Sequence, residues 1–307
     1  MKRYNDLNSY LREMFGFRVQ KITIDAGLNC PNRDGTISTG GCIYCNERGS
    51  GTGSFHLGLS ITEQLTRGKS ALSKRYKAKK FLAYFQSFSN TYGPIDRLKD
   101  FYGEALSVED IVGLSIGTRP DCVDKPILSL LENYAKTYLV WIEYGLQSAN
   151  DHTLKMINRG HDFNCFKHAV ELTKGRGIRI CAHVILGLPG ETRTDMLRSA
   201  KVLASLGIDG VKIHLLYVVK GTKMETLYRQ GHYQCLTKEE YVELVCDFLE
   251  VLPENMIIQR LTGDPHPEEL LAPLWALEKS ENLLMIQNAL ERRDTRQGKF
   301  FKEERLI

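Results

Sequence analysis

The sequence predicts an α/β fold, a partial (βα)6 TIM barrel with a helical extension at its C-terminal end. Three observations lead to this prediction. Short runs rich in β-branched and aromatic residues recur along the chain, amphipathic stretches separate them, and the alternation stops near residue 219. Regular alternation of strands and helices favours a parallel sheet with helical crossovers. Six units are fewer than the eight of a closed barrel, so we expect an open barrel with its chemistry at the carboxyl ends of the strands.

The predicted elements follow one another in order along the first part of the chain. The strands are Val19–Ile24, Lys80–Phe85, Ile111–Ile116, Leu139–Tyr144, Ile178–Leu186 and Gly210–Val218. The helices between them are Ser60–Tyr76, Pro94–Leu106, Lys125–Lys136, Asn164–Lys174 and Glu191–Leu206.

Beyond residue 219 the sequence predicts an extension packed on the barrel. Thr237–Leu252 and Pro267–Ala276 are predicted as helices, and the charged stretch Ser280–Ile307 is predicted to begin as one. No linker rich in glycine, serine or proline precedes this part, which disfavours a wholly separate domain. The expected division is 1–219 for the barrel, with a cysteine-bearing loop at 30–45, and 220–307 for the extension.

Composition limits the classes of function. The chain has 307 residues and a formal net charge of +4, which permits an anionic partner without requiring one. It lacks an apolar run of about 18 residues, the length that a membrane-spanning helix needs, and its first residues lack the apolar core of a secretion signal. We therefore expect a cytoplasmic protein, in which eight cysteines suit metal binding or catalysis better than disulfides. P-loop, serine-triad and dinucleotide-binding fingerprints are absent from the sequence.

Three clustered cysteines are the main chemical signal of the sequence. Cys42 and Cys45 form a C-x-x-C pair, and Cys30 lies upstream with eleven residues between it and Cys42. Three thiolates on a four-iron cluster leave one iron without a protein ligand, where a small molecule can bind. A structural zinc site is the alternative, with His56 as the fourth ligand that zinc requires.

Polar residues recur near the ends of the later predicted strands. Glu143, Gly145 and Gln147 share one face of the fourth strand, because alternate residues of a strand point the same way. A carboxylate and an amide at a barrel mouth suit a ligand with hydroxyl groups and charge, although a solvated edge strand would also carry them. Arg159 follows this strand, and its guanidinium could pair with a ligand carboxylate or lie on a helix surface.

The fifth and sixth strands carry polar residues on alternate positions. These are His183 on the fifth strand and Lys212 and His214 on the sixth. Polar side chains on central strands are costly unless they are paired or line a cavity. Substrate contact and simple hydrogen bonding in the core are both compatible with this pattern.

These features together resemble the radical S-adenosylmethionine (radical SAM) superfamily. The cysteine triad is followed in order by Gly117–Asp121, Glu143–Ser148, Asn158–His161 and the Gly187–Glu191 turn. The resemblance implies a [4Fe–4S] cluster held by Cys30, Cys42 and Cys45, with S-adenosylmethionine cleaved reductively to methionine and a 5′-deoxyadenosyl radical. It implies a cofactor-binding set of Tyr44, Gln86, Ser87, Asn90, Thr118, Arg119, Glu143, Gln147, Arg159 and Leu186.

Within this superfamily the chain resembles the YhcC/YtqA-type family. The long gap after Cys30, Phe85–Tyr92, Gly117–Asp121 and Gln259–Asp264 carry this resemblance. It implies an MnmL-type enzyme that converts the carboxymethylaminomethyl group at C5 of the tRNA wobble uridine to aminomethyl. The implied partners are the tRNA anticodon loop and a one-electron donor such as flavodoxin or ferredoxin. The substrate candidates are His183, Lys212, His214 and Asp264.

Two other functions remain open at this point. One is a radical SAM oxidoreductase that acts on a small molecule and resembles the oxygen-independent coproporphyrinogen oxidase. The other is a non-catalytic, zinc-stabilised RNA-binding module.

Two further groups of residues have weaker implications. Seven basic residues lie between Arg67 and Lys80, and they could contact RNA phosphates beside the catalytic mouth or form a solvated helix face. The charged tail adds further arginines and lysines. The remaining cysteines outside the strands show no ligand spacing and are predicted to be buried thiols. They are Cys122, Cys165, Cys235 and Cys246.

Overall fold

A computed structural model describes residues 2–49 and 54–302 of the chain. Its main sheet has seven parallel strands, which confirms the predicted partial barrel and adds a seventh strand to it. In spatial order they are β1 (Val19–Ile24), β2 (Lys80–Phe85), β3 (Ile111–Thr118), β4 (Leu139–Gln147), β5 (Arg179–Leu186), β6 (Gly210–Leu215) and β8 (Ile257–Arg260). A small antiparallel sheet pairs β7 (Val218–Val219) with β9 (Leu270–Ala272).

The described residues form ten α-helices: one precedes the first strand, one follows the last, and the others lie in the connections between strands. They are α1 (Leu7–Phe15), α2 (Ile61–Tyr76), α3 (Ile95–Ser107), α4 (Lys125–Ala135), α5 (Asp151–Met156), α6 (Phe163–Thr173), α7 (Arg193–Ser205), α8 (Lys223–Arg229), α9 (Lys238–Glu250) and α10 (Lys279–Arg292). Reciprocal capping boxes begin α2 at Ser60, α7 at Thr192 and α9 at Thr237. Each box satisfies two backbone N–H donors at the helix start and fixes where the crossover begins.

The two faces of the sheet have different chemistry. Apolar side chains such as Ile22, Leu114 and Ile142 belong to the large core cluster that also contains the helix residues. Lys21 and Glu143 alternate with them and interact with each other inside the barrel. Because neighbouring residues of a strand point to opposite faces, one set of strands builds both the core and a polar interior.

The C-terminal part joins the barrel through β8, which pairs in parallel with β6. Helix α9 packs against α7 and α10. The main sheet includes strands from both sides of residue 219, and the division at that residue stays a prediction. No helix within residues 2–49 and 54–302 has the length and apolar character needed to cross a membrane.

The prediction of a helix over Pro267–Ala276 is wrong. This segment forms β9 and a short 3-10 helix, Leu274–Leu277, instead. Pro273 has no N–H to donate and restricts the residue before it to extended backbone, which favours a strand ending at Ala272. The predicted sixth strand is also divided, because β6 ends at Leu215 and β7 lies in the small sheet.

Candidate active site

The three cysteines of the triad lie at the carboxyl edge of the sheet and line one cavity of about 470 Å³. That volume is within the range of small-molecule sites, about 300–1,000 Å³. Cys30 and Cys42 are buried, Cys45 is partly exposed, and all three are free thiols. The loop that carries the cysteines follows β1, so the thiols lie at the carboxyl edge of the sheet, where barrel enzymes have their active sites.

The long gap between Cys30 and Cys42 is folded back on itself. An isolated bridge pairs Asp34 with Thr39, which returns the chain toward its starting point. The side chain of Asn32 then donates to the carbonyl oxygen of Asn158 at 2.6 Å, and that of Asn158 donates to the carbonyl oxygen of Gly41 at 2.8 Å. These amides anchor the loop to the segment after β4, so the unusual spacing leaves Cys42 next to the barrel mouth.

Two N–H donors lie against the sulfur of Cys42. Nη1 of Arg159 is 3.5 Å from Sγ, and Nδ2 of Asn32 is 3.6 Å from it. Burial would lower the pKa of Arg159, but the Cys42 and Tyr44 groups beside it hold that pKa above its usual value. The guanidinium therefore stays charged and places a positive charge beside the sulfur of Cys42.

Glycine at position 145 allows Arg159 to reach this place. A Cβ there would lie 2.6 Å from Nη2 of Arg159, which is closer than side-chain atoms can approach. The same Nη2 donates to the carbonyl oxygen of Gly145 at 2.7 Å. Arg119 fixes the other side of the turn, because it donates to the carbonyl oxygen of Arg159 at 2.8 Å and to both carboxylate oxygens of Asp121.

A polar layer inside the barrel forms the floor of the cavity, and two of its members, Glu143 and His183, also line the cavity. The layer consists of Lys21, Ser115, Glu143, His183 and Lys212. Glu143 is fully buried and accepts hydrogen bonds from the other four members, with Nζ of Lys21 at 2.5 Å and Nε2 of His183 at 2.7 Å. Burial would raise the pKa of Glu143, but Lys21 and Lys212 hold it well below its usual value.

The basic groups of the polar layer are also shifted. Burial lowers the pKa of Lys212 to about 7, although Glu143 opposes the shift. Burial and the Lys212 charge lower the pKa of His183 to about 4, so its imidazole is neutral near pH 7. His214 lies next to it with ring centroids 5.3 Å apart, and burial and His183 hold its pKa well below the usual value.

Most of the predicted site residues line the cavity. These are Cys30, Cys42, Tyr44, Cys45, Gln86, Thr118, Arg119, Glu143, Gln147, Arg159, His183, His214 and Asp264. Their individual roles stay predictions. Glu143 needs a correction in one respect, because its carboxylate already accepts from four side chains of the protein rather than standing ready for a ribose or an amino acid.

Four predicted residues do not line the cavity. Ser87 is fully buried, Leu186 packs in the main core, and Lys212 lies beneath the cavity in the polar layer. The amide of Asn90 is occupied by the backbone, because Nδ2 donates to the carbonyl oxygen of Gly117 at 2.8 Å. Asn90 therefore braces β3, whereas Gln86 and Phe88 of the same segment line the cavity.

Sequence reasoning missed part of the lining. Arg33, Arg48 and Arg260 line the cavity, as do the aromatic residues Phe88 and Tyr217. The Gln259–Asp264 motif contains Arg260, but the sequence did not predict the short strand β8 that ends at this residue. An arginine at the carboxyl end of a parallel strand was the signal that could have identified it.

The basic stretch is not beside the catalytic mouth, which corrects that expectation. Its last residue, Lys80, begins β2, and Lys69 pairs with Asp110 just before β3. Both positions lie at the amino edge of the sheet, opposite the cysteines. The tail arginines are also engaged, because Arg292 and Arg293 pair with acidic residues of α9.

The other cysteines are only partly as predicted. Cys122 and Cys246 are buried, but Cys165 and Cys235 are partly exposed, and none of the four lines the cavity. His56 is exposed and also lies outside the lining, so it does not complete a zinc site with the triad. In the described ranges, no set of three or more His, Cys, Asp or Glu side chains converges on a single metal ion. A four-iron cluster spreads its thiolates over separate irons and does not require that convergence.

Comparison with known proteins agrees with this geometry. The family described as "Radical SAM superfamily" matches residues 33–203, more than half of the chain, and the "Radical_SAM C-terminal domain" matches residues 208–292. The chain belongs to the radical SAM superfamily. It is therefore an enzyme that uses a [4Fe–4S] cluster and S-adenosylmethionine. Membership of this family rules out the alternative of a non-catalytic, zinc-stabilised module.

Full-length relatives place this radical SAM enzyme in the YhcC/YtqA-type family. It is 42% identical to the uncharacterized protein YtqA of Bacillus subtilis over 301 residues, covering 98% of this chain and 94% of that protein. It is 39% identical to the protein YhcC of Escherichia coli over 290 residues, covering 94% and 93%.

More distant matches share part of the chain or the fold. The tRNA uridine(34) acetyltransferase of Methanocaldococcus infernus is 29% identical over 157 residues, which are 50% of this chain and 29% of that protein. The solved structure of archaeal Methanocaldococcus infernus Elp3 superposes with a TM-score of 0.70 at 16% identity, covering 91% of this chain and 64% of that chain. At that identity, the superposition establishes a common fold.

The cavity residues fit the two cofactors. Three free thiols face one space, and N–H donors lie at one of the sulfurs, as hydrogen bonds do around cluster thiolates. Tyr44 offers an aromatic surface and Gln147 an amide in the same space, which suit a nucleoside carrying an amino acid.

Proposed function

We propose that this radical SAM enzyme matures the C5 side chain of the tRNA wobble uridine, converting carboxymethylaminomethyl to aminomethyl on the route to methylaminomethyl-2-thiouridine. The observation that carries the proposal is the charge of the cavity. Five arginines line it: Arg33, Arg48, Arg119, Arg159 and Arg260. The lining carboxylates are Glu143, Asp264 and Glu269, and each is paired with a cation of the protein. Such a surface favours an anionic substrate.

Two further observations support an RNA substrate. The partial sequence similarity is to a protein named for uridine 34 of tRNA. Phe88 and Tyr217 add aromatic rings to the lining, and unstacked bases pack on such rings. An anticodon loop is single-stranded, so its bases can enter a pocket without the melting of a duplex.

The chain's own residues would hold the cofactors and shield the chemistry. Cys30, Cys42 and Cys45 would ligate the cluster, and Arg159 would orient Cys42 through its N–H contact with the sulfur. When bound, the cluster and S-adenosylmethionine would supply a 5′-deoxyadenosyl radical, which suits removal of a hydrogen atom from the carboxymethyl carbon next to nitrogen. Loss of a second electron from the substrate would give an imine, and its hydrolysis would break the C–N bond, release the two carbons as glyoxylate and leave the aminomethyl group, with S-adenosylmethionine as the two-electron oxidant overall. The polar layer closes the barrel beneath the cavity and keeps bulk water from entering from below.

The proposed cellular setting follows from the substrate. We propose that the reaction occurs in the cytoplasm, where tRNA is modified, with flavodoxin or ferredoxin as the one-electron donor. The partly exposed Cys45 marks the side of the triad that is open toward solvent.

Mass spectrometry of tRNA nucleosides tests this proposal directly. Anaerobically reconstituted protein is incubated with S-adenosylmethionine, dithionite and tRNA that carries the carboxymethylaminomethyl group. We expect that nucleoside to decrease, the aminomethyl nucleoside to increase, and 5′-deoxyadenosine to form. Cys42→Ala should abolish all three changes and lower the iron content, because a cluster ligand is lost.

One result of this experiment would contradict the proposed tRNA substrate. An unchanged wobble nucleoside profile, together with 5′-deoxyadenosine formation by the wild-type protein, would reject the tRNA substrate. It would favour the small-molecule alternative that resembles the oxygen-independent coproporphyrinogen oxidase.

A further inference from the structure

Arg260 differs from the other arginines that line the cavity. Arg48 pairs with Glu269, Arg119 pairs with Asp121, and Arg159 donates to the carbonyl oxygen of Gly145. The fourth, Arg33, donates to a backbone carbonyl oxygen at 2.9 Å. Across residues 2–49 and 54–302, the guanidinium of Arg260 makes no hydrogen bond or ion pair, although the residue is half-buried. A partly desolvated cation without a counter-charge is costly unless a ligand supplies an anion.

The carboxylates closest in sequence and in the barrel are already engaged. Asp264, four residues after Arg260, lies 2.5 Å from Nζ of Lys279. Glu143 is held by the polar layer. The protein therefore leaves the Arg260 guanidinium free for an anion that comes from outside the chain.

Arg260 is also a different group from the guanidinium that contacts the cysteine triad. It ends β8, whereas Arg159 follows β4 and contacts Cys42. Two strands, β5 and β6, lie between β4 and β8 in the sheet. The guanidinium that contacts Cys42 and the guanidinium at the end of β8 can therefore bind different groups.

A second polar group of the cavity has no partner. Nε2 of His214 is buried and makes no hydrogen bond within the described ranges, and His214 lines the cavity. The charge of Arg260 contributes, after burial and His183, to keeping the pKa of His214 well below its usual value. A neutral imidazole nitrogen can accept a hydrogen bond from a protonated amine.

We propose that Arg260 binds the carboxylate of an N-substituted glycine group on the substrate, and that His214 accepts a hydrogen bond from its amine. This assignment depends on the proposed function, because the carboxymethylaminomethyl group of the wobble uridine is such a group. Arg260 would then distinguish a side chain that still carries its carboxylate from the product, which has lost it. A guanidinium suits this task because it binds a carboxylate through two parallel hydrogen bonds.

A binding experiment tests the assignment without turnover. Anticodon stem-loop RNAs with carboxymethylaminomethyluridine or aminomethyluridine at the wobble position are titrated into the reconstituted holoenzyme, without reductant. We expect the wild-type protein to prefer the carboxylate-bearing RNA by roughly 10- to 100-fold, the range for loss of one charged hydrogen-bond pair. In Arg260→Gln the two RNAs should bind within about 3-fold of each other.

Matched variants separate carboxylate recognition from general charge and from misfolding. Arg48→Gln removes the same charge from the cavity lining, and we expect it to weaken both RNAs alike and keep the preference. Arg260→Lys should keep part of the preference, because it retains the cation but loses the bidentate geometry. Iron content equal to that of the wild type establishes that each variant is folded.

The possible failures are distinguishable. If Arg260→Gln keeps the wild-type preference, or if the wild type has none, the assignment of Arg260 is overturned, whereas the proposed function is still judged by nucleoside turnover. If the wild type converts no wobble uridine at all, the proposed function is overturned and the assignment falls with it.

Discussion

The polar layer and the cavity lining above it contain the same kinds of side chain, but they satisfy them differently. In the layer, Glu143 is bonded to four neighbours, and its charge is balanced by Lys21 and Lys212. On the lining, Arg260 and Nε2 of His214 have no partner within the described ranges. Buried charge alone therefore does not identify a binding site. Charge that is paired within the protein supports the fold, and charge that is left over points to a ligand.

The largest effect on stability is expected when the central carboxylate of the polar layer is removed. Glu143→Ala would leave Lys21 and Lys212 buried without their counter-charge, and we expect the free energy of unfolding to fall by about 3–5 kcal/mol. Urea unfolding followed by circular dichroism measures this change. Glu143→Gln is the control for shape, since it keeps the volume and part of the hydrogen bonding but not the charge.

A loss below about 1 kcal/mol in Glu143→Ala would contradict this account. It would mean that the two lysines move to solvent when their partner is removed. The layer and the lining would then differ less than their contacts indicate.

The second prediction concerns how the free energy of unfolding depends on pH through His183. The pKa of His183 is about 4 in the folded protein, because burial and Lys212 lower it. An unfolded histidine titrates near pH 6.5, so below that pH the unfolded chain binds more protons, and stability falls as the pH is lowered toward about 4. Between about pH 7 and pH 5, His183→Gln should remove about 2 kcal/mol of this loss, since each pH unit below about 6.5 contributes about 1.4 kcal/mol.

Unfolding of the wild type and of His183→Gln at about pH 7 and pH 5 measures the difference. Part of the slope should remain in the variant, because burial shifts the pKa of His214 in the same direction. Glu143, Lys212 and Arg260 face His183 and act on its pKa, and they are present in both proteins. An unchanged slope would show that His183 is protonated in the folded state.

Sequence alone predicted the main strands, because each is a run of β-branched and aromatic residues with helices between. The position of the cysteine triad after the first strand also predicted that it lies at the carboxyl edge of the sheet. Sequence reasoning missed β8, since Ile257–Arg260 is too short for a periodic pattern, and it treated the proline-flanked β9 as helix. Alternation on the strands placed Glu143 and His214 on the interior face. Whether each was paired depended on contacts between β1, β4 and β6, which are far apart in sequence.

The basic stretch before β2 illustrates a second limit. The number of basic residues was read correctly from the sequence, but their position relative to the active site depends on the direction of α2. A helix that returns from the carboxyl edge ends at the amino edge, so Lys74 and Arg75 in its last turn lie away from the cavity. Cations that are scattered in the sequence, such as Arg48 and Arg260, form the charged lining instead.

The smallest expected effect concerns Arg260 and separates binding from stability. Since this guanidinium is half-buried without a counter-charge, replacing it with an apolar side chain should cost the fold nothing. We expect Arg260→Met to leave the free energy of unfolding unchanged or to raise it by about 0.5–1 kcal/mol, the usual gain when a functional charge is removed. Urea unfolding beside Glu143→Ala gives the contrast on one scale. A decrease of more than about 1 kcal/mol would contradict the distinction, because it would mean that Arg260 stabilises the fold as Glu143 does.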